Sequence, residues 1–220
     1  MKTIGITFVI IVLVLSACDR TQKQINIPVF FAEAVPKDSS TFYFLSNSFH
    51  KDTNEIVKKG EQITNKWHSK ILFNLHEPVL SSYTGESEAI RFIWLRTFNE
   101  PIVIRLNNTQ EAVFINLKTL EGHSGFKTGE IKLDTAWTIN KAEWKKITEK
   151  LDNNKFWNTA SDLGSIGKDG VDWILEVRTK EKYHFINRWD DGNMQSFELK
   201  LFCIDLINLC TDVVDLGSSR

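Results

Sequence analysis

Ala89–Leu106 reads AIRFIWLRTFNEPIVIRL. β-Branched and aromatic residues crowd both halves, and Asn99-Glu100-Pro101 separates them with residues that turn a chain, so the stretch predicts two strands joined as a hairpin. Further on, EAVFINLKTL (Glu111–Leu120) and GEIKLDTAWTI (Gly129–Ile139) predict two more strands, separated by Gly122 to Gly129. A second hairpin is expected in WILEVRTKEKYHFINRW, Trp173–Trp189. Helical signals surround these strands. DTNEIVKKGEQITNKWHSKIL, from Asp52, carries a capping box in Asp52 and Glu55 and places Ile56, Ile63, Trp67 and Ile71 at helical spacing, at a cost of about 1 kcal/mol for Gly60. Glu77-Pro78 ends that segment. Asn140 and Glu143 repeat the capping pattern ahead of Trp144, Ile147 and Leu151, and SFELKLFCIDLINLCTDVV has a broad apolar stripe through Leu199, Phe202, Cys203, Leu206, Leu209 and Cys210. The expected fold class is α+β, an antiparallel sheet with helices packed against it.

The chain has 220 residues, 42% hydrophobic and 25% charged, which suits one well-cored domain. Its first residues are MKTIGITFVIIVLVLSAC: a lysine, an apolar run too short to span a bilayer, then small residues. Leu15-Ser16-Ala17-Cys18 resembles the bacterial lipobox, which implies cleavage of residues 1–17, lipidation of Cys18 and anchorage to a membrane by its acyl chains. In Gram-negative lipoproteins an aspartate after that cysteine often means inner-membrane retention, and Asp19 fits the pattern. The expected organisation is a signal peptide over 1–17, an anchor and tether over 18–40, with a short strand at Val29 to Ala32, and a single α+β domain over 41–220. The expected location is the bacterial cell membrane, facing periplasm or exterior.

The formal net charge is −1 at pH 7, and removing residues 1–17 takes away Lys2 and no acid. With no basic block either, the chain lacks the electrostatic footprint of a nucleic-acid binder. Cys203 and Cys210 lie seven apart on the last helix, roughly 10 Å along its axis, too far for a disulfide, so they are expected as buried thiols. His68 and His76 form no H-E-x-x-H with Glu77, and neither metal nor cofactor is expected.

The second hairpin carries the candidate chemistry. A loop centred on Lys180 pairs Asp172 with Arg188, Ile174 with Ile186 and Glu176 with His184, collecting Asp172, Glu176, His184 and Arg188 on one face and most bulky groups on the other. Glu176, His184 and Arg188 could then act as an acid/base set with an anion holder, or cross-strand ion pairs could simply decorate a half-wet sheet face. Arg96, Arg105, Asp172 and Trp189 are candidate ligand-binding residues. Gly122-His123-Ser124-Gly125 and Gly164-Ser165-Ile166-Gly167-Lys168-Asp169 have the wrong spacing for a nucleophile elbow and a P-loop, and read as turns.

RFIWLRTFNEPIVIRL, GHSGFKTG, Phe156-Trp157, DGVDWILE and YHFINRW occur in this order over about residues 67–210. In this the chain resembles a group of uncharacterised small bacterial proteins, several of them lipoproteins, with WLRTF…P…R, DG-x-x-W-x-x-E and YH-x-x-x-RW steps. It departs from them at His123-Ser124, at Phe126 and in the aspartates after Trp189. The resemblance implies no mechanism. It singles out Trp94, Arg96, Arg105, Asp169, Gly170, Trp173, Glu176, Tyr183, His184, Arg188 and Trp189.

The expected function is that of a non-enzymatic binding or accessory protein of the cell envelope, with an envelope protein as partner. The alternatives are an acid/base enzyme using Glu176, His184 and Arg188, and an inhibitor or immunity protein docking through the polar sheet face.

Overall fold

The computed structural model describes residues 31–45, 55–161, 169–190 and 197–211. The signal peptide, Cys18, the Asp52 cap and the loop from Gly164 to Lys168 lie outside these residues. Six strands form one antiparallel sheet: β1 (Glu88–Arg96), β2 (Ile102–Asn108), β3 (Val113–Gly122), β4 (Thr128–Ile139), β5 (Val171–Arg178) and β6 (Tyr183–Asp190). Their spatial order is β4-β3-β2-β1-β5-β6. The fold class is α+β, with three α-helices among the described residues: α1 (Glu55–Asn74), α2 (Lys141–Asn153) and α3 (Phe197–Thr211).

The Ala89–Leu106 stretch is the centre of the sheet. β1 pairs with β2 through Ile90↔Leu106, Phe92↔Ile104 and Trp94↔Ile102, and with β5 through Phe92↔Leu175 and Trp94↔Trp173. Buried on both faces, β1 reads as a nearly continuous apolar run because neither side meets water.

One face of the sheet carries Ile90, Phe92, Trp94, Leu106, Ile115, Trp173, Leu175 and Ile186, and packs on Trp144, Ile147 and Leu151 of α2 and on Phe202, Cys203, Leu206 and Cys210 of α3. The stripes expected of those two helices are the buried ones, save that Leu209 is only partly buried, and both α3 thiols are inside this core. The Asn140 side chain accepts the Glu143 backbone N–H at 2.7 Å, starting α2 as its spacing predicted.

The opposite face carries Ile93, Leu95, Val103, Ile174 and Phe185, and packs on Ile71, Leu72 and Leu75 of α1 and on Tyr43 and Phe44. Here the expected helix face needs correction, since Ile63 is 70% exposed. Asn65, His68 and Ser69 turn inward with Ile71 and Leu72. Ser69 Oγ accepts the Tyr43 N–H at 2.9 Å and Asn65 Nδ2 donates to the Phe44 carbonyl at 2.9 Å, so buried polar groups hold a segment that belongs to no helix or strand.

α1 ends in a Schellman turn. His76 takes a left-handed φ of 52°, its N–H bonds to the Phe73 carbonyl at 3.0 Å, and the Glu77 N–H reaches back to Leu72 at 3.0 Å. Phe31, in the stretch read as tether, is buried against Tyr83; the short strand expected at Val29 to Ala32 lies partly outside the described residues, and Ala32 begins a 3₁₀ turn that runs to Ala34.

Candidate functional site

The register of the second hairpin overturns the expected cluster. β5 and β6 pair as Asp172↔Trp189, Trp173↔Arg188, Ile174↔Asn187, Glu176↔Phe185 and Val177↔His184, one residue away from the expected pairing. A one-residue slip exchanges the faces. Glu176 therefore lies on the α1 face, while His184 and Arg188 lie on the α2/α3 face. The turn explains the shift: Thr179 N–H donates to the Lys182 carbonyl at 2.9 Å and Thr179 Oγ1 accepts the Lys182 N–H at 3.2 Å, closing a tight loop over Lys180-Glu181. Apolar neighbours reinforce it, since this register seats Phe185 beside Phe44 and Ile174, and Ile186 beside Leu175.

His184 and Arg188 hold a chain segment against β6. His184 Nε2 contacts the Thr159 carbonyl at 2.8 Å, while Arg188 donates to Ala160 O at 2.7 Å, Ser161 O at 3.2 Å and Asn187 O at 2.6 Å. The Asn187 N–H bonds to Ser161 O at 2.5 Å. Burial lowers the His184 pKa from 6.5, and the Arg188 charge adds to that, against the opposing effect of the Thr159 contact.

On the other face Glu176 belongs to a buried ionic network that the sequence reading did not assemble. Arg91 of β1 lies opposite both Arg105 of β2 and Glu176 of β5. Two arginines side by side repel, and Glu77 offsets this from above. Its Oε2 sits 2.7 Å from Arg105 Nε and 3.4 Å from an Arg91 nitrogen, and its Oε1 lies 3.3 Å from Lys118 Nζ. Arg91 Nε donates to Glu176 Oε2 at 2.6 Å, and the Tyr183 hydroxyl donates to Glu176 Oε1 at 2.8 Å. Glu77, Arg91 and Glu176 have 1% exposure or less.

Burial alone would raise the Glu77 carboxyl, but Arg105, Lys118 and Arg91 together hold it at about 2. Glu176 faces fewer cations, and burial keeps it above the ordinary carboxylate range despite Arg91 and Tyr183. The network also secures the end of α1: Arg91 donates to Pro78 O at 2.7 Å, and Lys118 Nζ to Leu75 O at 2.9 Å, a helix-terminal carbonyl. Its legible signal is one charged residue inside each of four apolar strand cores, IRFIW, IVIRL, INLKT and WILEV.

Most of the other singled-out residues also make contacts within the fold. The Arg96 guanidinium stacks 3.9 Å from the Trp94 ring centre. Arg105 donates to Asn107 Oδ1 at 2.6 Å. Asp172 lies 3.5 Å from His68 Nε2, with His68 packed beside Phe44 and Trp67. A Cβ at Gly170 would stand 2.6 Å from the Trp189 ring, so the glycine of the DG step is what allows Trp189 to lie where it does. Thr97 of the WLRTF step bonds to Gly170 through both N–H and hydroxyl at 3.0 Å, and Gly125 N–H donates to Thr97 O at 3.0 Å. Thr97, Gly125, Gly170 and Trp189 thus meet at one end of the sheet through packing and turn contacts. Ser124 is buried there, its hydroxyl donating to Asn99 O at 3.0 Å.

At the opposite end, between α2 and the β5–β6 turn, is an open groove of about 440 Å³, within the range of small-ligand sites. Trp144, Leu151, Ile90 and Val177 contribute apolar walls, while Asp152, Glu88 and Lys180 are among its polar residues. Lys182 Nζ rests 3.9 Å from the centre of the Trp157 ring, at the same groove. Among the described residues no group of three or more His, Cys, Asp or Glu side chains could hold a metal ion, and no helix is long and apolar enough to cross a membrane. These features define the class as a six-stranded α+β domain with an ionic core and an aromatic-lined groove. In comparisons with family models and with curated proteins, the chain matches none.

Proposed function

We propose that this protein is a membrane-anchored lipoprotein of the bacterial envelope that works by binding, with the groove between α2 and the β5–β6 turn as its binding site. The supporting observation is how its polar side chains are used. Glu176, His184 and Arg188 are divided between two faces and occupied in holding the fold, whereas the Trp144–Trp157 groove is open and ligand-sized with aromatic walls. An acid/base enzyme would need its base within hydrogen-bond reach of the group it orients, and the sheet itself separates Glu176 from His184. A partner docking on the Glu176 face of the sheet would meet α1, because that face is covered.

Two measurements test the proposal on the full chain. Cys18→Ser should abolish acyl labelling and move the protein from the membrane to the soluble fraction; an unchanged distribution refutes the anchor. A photo-crosslinking residue at Thr148, in the groove, should give a defined adduct in cell envelopes that Trp157→Ala removes. Equal adducts from a crosslinker at Lys66, on α1, would refute the groove as the binding site.

A further inference from the structure

The two edges of the sheet are built differently. β6 is covered by Thr159–Ser161, whereas among the described residues no backbone hydrogen bond extends outward from β4. β4 is 12 residues long and contains no proline. An edge of that kind is a template for another strand. Its pairing with β3 shifts register between Thr119 and Gly122, which bends the Thr128–Lys132 end, and leaves Leu133–Ile139 regular against Val113–Thr119.

We propose that this regular stretch pairs antiparallel with the same stretch of a second copy, about a two-fold axis at its midpoint, Ala136. A closed two-fold contact of this kind joins the two sheets edge to edge and leaves the groove of each copy free. Side-chain chemistry selects the occupant and the register. On the α2/α3 face Leu133 meets Ile139 of the second copy and Thr135 meets Trp137, covering side chains that one copy leaves only partly buried against its core. On the other face Asp134 meets Thr138, a carboxylate beside a hydroxyl, and Ala136, the smallest side chain in the stretch, meets itself on the axis. Moving the axis two residues to Asp134 would set two carboxylates directly opposite each other.

The test uses full-length protein in its native membranes. Facing residues of an antiparallel pair have Cα atoms about 4.5–5.5 Å apart, within disulfide range. Ala136→Cys should therefore give a reducible dimer under mild oxidation, at least tenfold above Asp134→Cys alone. Combining Asp134→Cys with Thr138→Cys should restore the dimer. Cys203 and Cys210 are buried, and the unsubstituted protein, which carries them together with Cys18, provides the background. Circular dichroism confirms that each variant is folded. A folded Ala136→Cys protein that stays monomeric, equal yields from Ala136→Cys and Asp134→Cys, or a covalent product not of dimer mass would overturn the proposal.

Discussion

Glu77 follows a helix and precedes a proline, and its carboxylate lies against three cations in the dry interior of the domain. Its folded pKa of about 2 lies below the ordinary 4.5, so its contribution to stability is complete above pH 4.5 and is lost as the pH falls through 2. That window corresponds to about 3 kcal/mol. Glu77→Gln should lower stability at pH 7 by about 3–5 kcal/mol, since it leaves buried cations unmatched, and should flatten the acid dependence between pH 4.5 and 2 in urea titrations. An unchanged urea midpoint at pH 7 would refute this. Glu176→Gln should cost less, because burial already disfavours that charge and it faces one close cation in place of three. His184 titrates in a different window. Its lowered pKa means that the folded state resists protonation, so stability present above pH 6.5 is lost as the pH falls below it. Imidazole signals followed by NMR should give an apparent pKa below 6.5, and His184→Ala should remove that part of the pH dependence.

Two glycines separate what an element tolerates from what a contact forbids. Gly60 lies within α1 with nothing within 4 Å of an added Cβ, so Gly60→Ala should raise stability by about 1 kcal/mol through helix propensity. Gly170 precedes β5 under the Trp189 ring, and Gly170→Ala should cost about 1–3 kcal/mol and shift tryptophan fluorescence. Thermal or urea unfolding of both variants checks the two signs together. Local pattern was a good guide to the elements themselves: the strands around Asn99-Pro101, the Asn140 cap and the α3 stripe all follow from propensity and periodicity. It failed at Ile63, whose apolar character suggested burial. It failed again at the Lys180 turn, where matching opposite charges favoured a register that turn geometry and the packing of Phe185 and Ile186 exclude.

At the scale of the whole molecule, two apolar cores share one sheet, with β1 buried between them. Neither core survives loss of that strand, so urea unfolding should be a single transition, with tryptophan fluorescence coinciding with far-UV circular dichroism. Separated midpoints would show that the two faces unfold independently. Apolar periodicity, capping residues and turn composition are properties of neighbouring residues, and they sufficed to establish from sequence an antiparallel sheet with helices against it. Tertiary structure alone decided that α1 and α2/α3 take opposite faces, that β5 docks on β1, and that Glu77 gathers Arg91, Arg105 and Lys118. Those outcomes depend on which distant segments exclude water from one another, and a buried charge is stable only beside a partner that the fold brings to it.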